Sequence, residues 1–328
     1  MKVSWRILGL AAVAALSACE PLDLDLDNGG GGTGGGAFSK GYVFVRGDAN
    51  GRNLYAVNDV GGDPNSPLRL TQQGGAYEPA VASTGQLVAY AYRSGATSEI
   101  RTVPTTGTGQ PSVVFSSTGT GCSGCSNFRF PTFSPNGRTI VFTLNRNGYA
   151  LLARVEADGS GFQVLTSPSS ATANFYGAAS FYPDGQSVLA TASNSSPTQF
   201  EFLVKVGVVN GAATVLTRNL GGTAQVVVNR AVVSPDGARV AFDGRTSNGS
   251  QIFVGQLGAV GLSSVVQMTS HPGEFGVEDT WPSWRGNTEI VFQSSAGGSD
   301  NLYLIGITTV GAGSLKVPSV LEPSYGGA

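Results

Sequence analysis

Short runs of apolar residues alternate along the chain with polar turns rich in glycine, proline and asparagine. Residues 139–142 (TIVF), 150–155 (ALLARV) and 201–206 (EFLVKV) are examples of such runs. Short, nearly continuous apolar runs bounded by turn residues are typical of strands that are buried on both faces. Glycine occupies 48 of the 328 positions, which disfavours long helices, because each internal glycine costs a helix about 1 kcal/mol. The pattern therefore predicts an all-β protein.

One sequence unit recurs along most of the chain. The clearest copies are VASTGQLVAY (81–90), FSPNGRTIVF (133–142), FYPDGQSVLA (181–190), VSPDGARVAF (233–242) and the shorter WRGNTEIVF (284–292). Most contain a turn of the Pro-Asp-Gly type, in which proline presets φ, aspartate caps the turn and glycine accepts a positive φ. Gly85, Gly137, Gly185 and Gly237 are spaced by 52, 48 and 52 residues. Each copy continues into two more apolar strands, so we expect four strands per unit.

The N-terminal copy of the unit lacks its first strand. Residues 42–57 and 67–71 supply its other strands, and Glu322-Pro323 near the C-terminus resembles the first-strand starts at Glu78-Pro79 and Trp281-Pro282. The sequence therefore predicts a six-bladed β-propeller over residues 41–328. Its blades would be four-stranded and antiparallel, and the C-terminal strand would close it by pairing with the N-terminal blade. A β-sandwich or a β-helix is the alternative, but neither has a period of this length.

Residues 1–18 have the pattern of a secretory signal. Lys2 and Arg6 precede an apolar run, residues 7–16, that is too short to span a membrane. The run ends in Leu16-Ser17-Ala18-Cys19, which resembles the lipobox of bacterial lipoproteins. That resemblance implies cleavage before Cys19 and attachment of acyl chains such as palmitate to this residue, which would anchor the protein in a membrane. An ordinary cleaved signal that contains a cysteine is the alternative.

Residues 19–40 predict a flexible tether, because aspartate and glycine dominate them. The alternating Asp23, Asp25 and Asp27 lack the glycine and glutamate of an EF-hand loop, so we expect no calcium site. Glu20 follows Cys19, whereas aspartate in that place favours inner-membrane retention in enterobacterial lipoproteins. We therefore expect the cell envelope, preferably the outer membrane, and leave open whether the protein faces the periplasm or the cell surface.

The repeat units resemble the TolB-type, WD-like β-propeller repeat, whose signature is roughly P-x-W/F-S-P-D-G. The best matches are residues 131–137 (PTFSPNG) and 234–237 (SPDG), and the resemblance covers nearly all of 41–328. It implies the fold and says little about an activity. The known partner of TolB, the peptidoglycan-associated lipoprotein, becomes one candidate partner. TolB has an α/β domain before its propeller, where this chain has the tether.

Composition excludes several classes of function. The chain has 19 Lys and Arg against 21 Asp and Glu, a net charge of −2, without the basic excess that nucleic-acid binding needs. His271 is its only histidine, so a metal site built on several histidines is excluded, and we expect no metal and no other cofactor. The sequence contains no P-loop and no G-x-S-x-G motif. We therefore expect a monomeric, non-catalytic scaffold that binds an envelope protein or a glycan.

Binding is expected at the loops between blades, because variable loops on a rigid scaffold usually carry it. Aromatic, arginine and acidic residues at these loops form the candidate binding face, which consists of Tyr77, Glu78, Arg129, Phe130, Tyr176, Arg230, Glu278, Asp279 and Trp281. The alternative function is a carbohydrate-active lyase or hydrolase that uses carboxylates such as Glu78, Glu278, Asp279, Glu274 and Glu322 as acid and base. These acids could also be solvated loop residues or caps of strand ends.

One of the loops contains Cys122 and Cys125 in a C-x-x-C arrangement. A thioredoxin-like context is absent, and no second cysteine pair is available for zinc. The spacing therefore predicts a structural disulfide, with free thiols as the alternative. His271 is a candidate base or metal ligand, although a lone histidine is more often a hydrogen-bonded loop residue.

Overall fold

The computed structural model describes residues 37–119, 121–217 and 227–327. The predicted signal sequence, Cys19 and nearly all of the predicted tether lie outside the described residues, so the lipidation and anchoring predictions stay predictions. The described residues form 24 strands and one short 3₁₀ turn, Ala296–Gly298, and the predicted all-β class is confirmed. In this part of the chain we find no helix with the length and apolar character to cross a membrane.

The strands fall into six groups of four, each ordered from its inner to its outer strand. Group 1 contains β24 (Leu321–Gly327), β1 (Lys40–Asp48), β2 (Gly51–Asn58) and β3 (Leu68–Arg69). Group 2 contains β4 (Ala76–Val81), β5 (Leu87–Ser94), β6 (Thr97–Pro104) and β7 (Ser112–Ser116). Group 3 contains β8 (Cys125–Phe133), β9 (Thr139–Arg146), β10 (Tyr149–Glu156) and β11 (Gln163–Val164).

The remaining groups follow the same order along the chain. Group 4 contains β12 (Phe175–Phe181), β13 (Ser187–Ser193), β14 (Phe202–Gly207) and β15 (Ala213–Thr217). Group 5 contains β16 (Val227–Val233), β17 (Arg239–Thr246), β18 (Gly249–Gly258) and β19 (Gly261–Gln267). Group 6 contains β20 (Asp279–Arg285), β21 (Glu289–Ser294), β22 (Asn301–Gly306) and β23 (Ser314–Val317). Groups 3 and 4 are joined into one eight-stranded sheet by a single parallel pair, Ala150 with Phe175.

The two ends of the described chain meet in group 1. β24 pairs antiparallel with β1, and Tyr325 lies opposite Tyr42 while Ser324 lies opposite Val43. Without β24 the inner edge of β1 would present unpaired backbone groups. The C-terminal segment therefore supplies the inner strand that the N-terminal unit lacks.

The inner strands β24, β4, β8, β12, β16 and β20 contact one another in cyclic order, and β20 also contacts β24. Six apolar clusters fill the gaps between successive groups, and one of them lies between groups 6 and 1. We call the line that the inner strands surround the axis. Each inner strand starts at the loop end of the axis, after a loop between groups, and stops at the turn end. At the turn end Gly137 (φ 69°) and Gly237 (φ 73°) adopt the positive φ predicted for their turns.

Each inner strand contains a bulge, where its pairing with the next strand shifts register. One residue of each bulge occupies the equivalent repeat position, and we call these six residues the axial set: Glu322, Glu78, Phe130, Ala178, Arg230 and Trp281. Four members precede a proline and have φ between 52° and 59°, the left-handed region that non-glycine residues rarely adopt. A bulge of this kind re-aims side chains and frees backbone N–H groups from the ladder.

Candidate functional site

The axial set brings side chains from all six groups to one place near the loop end. Phe130, Ala178 and Trp281 form one apolar cluster, and the ring centres of Phe130 and Trp281 are 5.9 Å apart. Because these residues come from groups 3, 4 and 6, the cluster spans the axis. The remaining members, Glu78, Glu322 and Arg230, are charged.

A chain of hydrogen bonds connects four groups through the two glutamates. The Glu322 N–H donates to Gln293 Oε1 (2.8 Å), the Glu78 N–H donates to Glu322 Oε2 (2.7 Å), and the Phe130 N–H donates to Glu78 Oε2 (2.7 Å). The N–H groups that the bulges free from the ladder thus find acceptors on neighbouring groups, as buried N–H groups must. Glu78 and Glu322 cap bulges in this arrangement.

Three arginines pair with the same two carboxylates. Glu78 Oε1 lies 2.9 Å from Arg93 Nη2 and 3.0 Å from Arg129 Nε, and Glu322 Oε1 lies 2.7 Å from Arg52 Nη2. Each carboxylate oxygen of the two glutamates therefore has a partner. Burial and the charge of Glu78 raise the pKa of Glu322, and the neighbouring guanidinium of Arg52 opposes this shift.

Tyr77 holds two of these arginines. The guanidinium carbons of Arg52 and Arg93 lie 4.4 and 4.5 Å from the centre of its ring, at distances typical of cation–π contacts. The half-buried Tyr77 thus positions the cations that neutralise the glutamates.

Arg230 differs from the other three arginines. Its guanidinium carbon lies 5.8 Å from the ring centre of Trp281, and it forms no ion pair with a described carboxylate, unlike the other three. Its buried Nε has no hydrogen-bond partner, as is also true of the Nε atoms of Arg52 and Arg93. Burial lowers the pKa of Arg230, and the charges of Asp243, Glu78 and Glu322 act in the opposite direction. Asp243 is itself buried, which raises its pKa, and its carboxylate accepts the backbone N–H of Arg230 (2.9 Å).

A cavity of about 610 Å³ lies next to Arg230 on the turn-end side of the axial set. The inner strands of all six groups contribute to its wall. Its aromatic wall residues are Phe133, Phe181, Trp284 and Tyr325, and Pro135, Pro183 and Pro235 of the turns line it as well. Lys40 and Arg230 are its charged residues, and no Asp or Glu is among the described residues that line it.

His271 lies against a buried carboxylate at the outer side of the loop end. Its Nε2 is 2.8 Å from Oδ2 of Asp279, whose exposed fraction is zero. Burial raises the pKa of Asp279, and the hydroxyls of Ser294 and Thr269 together with His271 oppose the shift. The contact fixes the loop before β20 to the start of that strand.

The structure places the nine residues of the predicted binding face in two different settings. Six of them surround the axis, because the bulges in the inner strands direct this part of the chain toward it. These six are Tyr77, Glu78, Arg129, Phe130, Arg230 and Trp281. Tyr176 packs between groups 3 and 4 with an exposed fraction of 1%. Asp279 is bonded to His271, and Glu278 pairs with Arg245 at the surface (2.6 Å). Five of the nine are buried: Glu78, Phe130, Tyr176, Asp279 and Trp281.

Several residues at the axis were not found from the sequence. Arg52, Arg93, Gln293 and Asp243 lie on second and third strands and belong to no motif. An alignment of the repeat units on the residue before the first-strand proline would have grouped Arg230 with Glu78 and Glu322. It would not have predicted their arginine partners, because these lie on other strands of the same group or, for Arg129, in the neighbouring group.

The sulfur atoms of Cys122 and Cys125 are joined in the structure, with their Cα atoms 5.5 Å apart. Both cysteines are buried beside Phe128. The formation of this disulfide in the cell stays a prediction. Among the described residues, no cluster of three or more His, Cys, Asp or Glu side chains could hold a metal ion.

No protein-family model and no curated protein matches this chain. Several solved structures resemble it. TolB from Acinetobacter baumannii has a TM-score of 0.62 at 19% identity, over 89% of this chain and 68% of its own. The putative TolB from Agrobacterium tumefaciens has a TM-score of 0.56 at 16% identity, over 86% of this chain and 88% of its own. A chain of a nidogen–laminin complex has a TM-score of 0.59 at 9% identity, over 87% and 98%. At these identities the likeness shows the fold alone, which is that of TolB-like β-propellers.

Proposed function

We propose that this chain is a lipid-anchored protein of the bacterial cell envelope. In this proposal the six groups are the blades of one closed propeller, and the propeller is a non-catalytic scaffold that binds an envelope protein or a glycan. The likeness to TolB structures, the cyclic contacts of the inner strands and the signal and lipobox pattern of residues 1–19 support it. Cys19 would carry the lipid, and the protein would act as a monomer.

The observation that carries the non-catalytic part is the engagement of the axial carboxylates. A glycoside hydrolase needs one carboxyl group free to give a proton and another free to act as base or nucleophile. The oxygens of Glu78 and Glu322 accept hydrogen bonds or pair with arginines, and Asp279 is buried against His271. The geometry therefore favours a scaffold over the carbohydrate-active alternative.

The proposed contact surface is the loop end, where the loops between groups meet solvent. Phe275, in the loop before β20, has an exposed fraction of 86%, and Glu274 beside it is also exposed. Val260, in the turn between β18 and β19 at the turn end, has the same exposed fraction. These two positions form a matched pair on opposite ends of the molecule.

A photo-crosslinking amino acid at each of the two positions tests this surface in cells. We expect position 275 to crosslink a defined envelope component that position 260 does not. Equal crosslinking at both positions, or none at 275, would contradict the loop-end surface. Separately, Cys19→Ser should move the protein from the membrane fraction to the soluble fraction, and unchanged membrane association would contradict the lipid anchor.

A further inference from the structure

The charges around the axial set are unevenly partnered. Arg52, Arg93 and Arg129 each pair with Glu78 or Glu322 within 3.0 Å. Arg230 approaches the same place from group 5, and within the described residues its guanidinium forms no ion pair and its Nε no hydrogen bond. Residues 218–226, which precede β16 in the sequence and lie outside the described residues, contain no Asp or Glu and so offer no carboxylate to Arg230.

The carboxylate of Asp243, whose charge acts most strongly on Arg230, is occupied with other donors. Asp243 accepts the Arg230 backbone N–H (2.9 Å), the Asn229 backbone N–H (3.2 Å) and Asn229 Nδ2 (2.8 Å). A buried cation without a hydrogen-bonded anion is costly. Arg230 therefore contributes little to folding by its charge, which suggests a role toward something outside the chain.

The cavity beside Arg230 has the size and the lining of a ligand site. Its volume of about 610 Å³ lies within the range of about 300–1,000 Å³ common for small-molecule pockets. Trp284, Phe133 and Phe181 offer apolar walls, and Trp284 Nε1–H is already bonded to the Val232 carbonyl (2.9 Å). Lys40 adds a second positive charge to the lining. The electrostatics of the described lining thus favour an anion and the walls favour an apolar body.

We propose that the axial cavity binds a small organic carboxylate, whose carboxylate pairs with the Arg230 guanidinium and whose apolar body packs against Trp284, Phe133 and Phe181. Arginine matches a carboxylate with two parallel N–H···O bonds, which makes this pairing strong and directional. The inference deepens the proposed binding function, on which it rests, by assigning a ligand class to the axis. It concerns the turn end, whereas the crosslinking experiment tests the loop end, so either can fail alone.

The test uses phenylacetate and its neutral isostere phenylacetamide, titrated into the full chain by isothermal titration calorimetry. Saturable binding of phenylacetate is expected for the wild type, with phenylacetamide about tenfold or more weaker, because one charge-assisted contact is lost. Arg230→Gln should weaken phenylacetate to the level of the amide. Arg230→Lys should give an intermediate affinity, because lysine keeps the charge and loses the planar fork.

Arg245→Gln is the matched control. Arg245 lies on β17 of the same group, pairs with Glu278 at the surface, and does not line the cavity; its substitution should leave the affinity unchanged. Circular dichroism and thermal unfolding check that Arg230→Gln remains folded. If it does not, the affinity of Arg230→Lys for phenylacetate is compared with that of the wild type instead. Absence of saturable phenylacetate binding by the wild type, equal binding of acid and amide, or full binding by Arg230→Gln would each overturn the proposal.

Discussion

The bulges of the inner strands give the charged members of the axial set two different fates. At the loop end, Glu78 and Glu322 accept backbone N–H groups of neighbouring strands and pair with three arginines. On the turn-end side, Arg230 has no such partner in the described chain and borders an open cavity. The same bulge can therefore either join neighbouring groups or leave a charge available, depending on which side chain occupies it.

The seam between groups 6 and 1 also has a different chemistry at each end. At the loop end it depends on Glu322, whose N–H reaches Gln293 of group 6. At the turn end it depends on Asp59, which accepts hydrogen bonds from Tyr42 (2.7 Å), Arg285 (2.8 Å) and Tyr325 (2.9 Å). Tyr325 of this cluster also lines the axial cavity, so the seam and the cavity wall share a residue.

Removal of residues 321–328 should have the largest effect, because it deletes contributions to both ends at once. The inner edge of β1 would lose its partner strand, Arg52 would lose its carboxylate, and Asp59 would lose one of its three donors. We expect the loss in the free energy of unfolding to exceed that of any single substitution, about 5 kcal/mol, with self-association through the exposed edge.

Size-exclusion chromatography and chemical denaturation measure the effect of this truncation. A synthetic peptide of residues 318–328 added in trans is the control and should restore the monomer. A truncated protein that remains monomeric with wild-type stability would show that the C-terminal strand is dispensable.

Glu78→Gln should have the next largest effect, at the loop end only. The substitution leaves Arg93 and Arg129 without their partner, and removal of one member of a buried ion pair costs about 3–5 kcal/mol. Glu278→Gln is the matched control, because Glu278 also pairs with an arginine but its side chain is 39% exposed; it should change stability by about 0.5 kcal/mol or less. Urea denaturation of both variants measures the difference, and equal effects would mean that burial does not separate the two pairs.

Asp59→Asn should weaken the turn-end seam by about 2 kcal/mol at neutral pH, since three hydrogen bonds to a carboxylate are altered. Burial raises the pKa of Asp59, but the hydrogen bonds from Arg285, Tyr42 and Tyr325 outweigh it, so the net pKa lies below the usual value. A lowered folded pKa stabilises the fold above the unfolded pKa of about 3.9, and this contribution disappears as pH falls through the folded pKa.

The difference in unfolding free energy between the wild type and Asp59→Asn should therefore be full at pH 7 and shrink in strong acid. Asp63→Asn, at an exposed position in the following turn, serves as the control and should show little difference at either pH. A wild-type advantage over Asp59→Asn that grows as the pH falls would contradict the assigned hydrogen bonds.

Replacement of Cys122 and Cys125 by serine should have the smallest effect, at the rim of the loop end. A disulfide that closes so short a segment stabilises by at most about 2 kcal/mol. The thermal midpoint of the wild type should fall slightly in reductant, and that of the double variant should not respond. Titration of two free thiols in the untreated wild-type protein would show that the disulfide does not form.

The repeat units carried enough information to predict the strands of each group and the use of the C-terminal segment in group 1. Turn residues such as Pro235 and Gly237 report on the local backbone, and local backbone preference is readable from sequence. The sequence does not separate the buried members of the candidate binding face from the exposed ones, because the direction in which Tyr176 or Glu78 points depends on packing. The pairing of Glu78 with Arg93 and Arg129 joins residues of two groups, and no spacing rule links them.

The sequence by itself determined the all-β class, the period and the composition of each strand, because these follow from local apolar patterning and turn chemistry. The tertiary structure alone decided the fate of the axial charges. Arg93 lies on the strand that follows Glu78, but Arg129 and Arg52 reach the two glutamates from distant positions in the sequence, and Arg230 lies where no described carboxylate is free to meet it. Electrostatic partnership depends on distance and burial in three dimensions, which the order of residues along a chain does not specify.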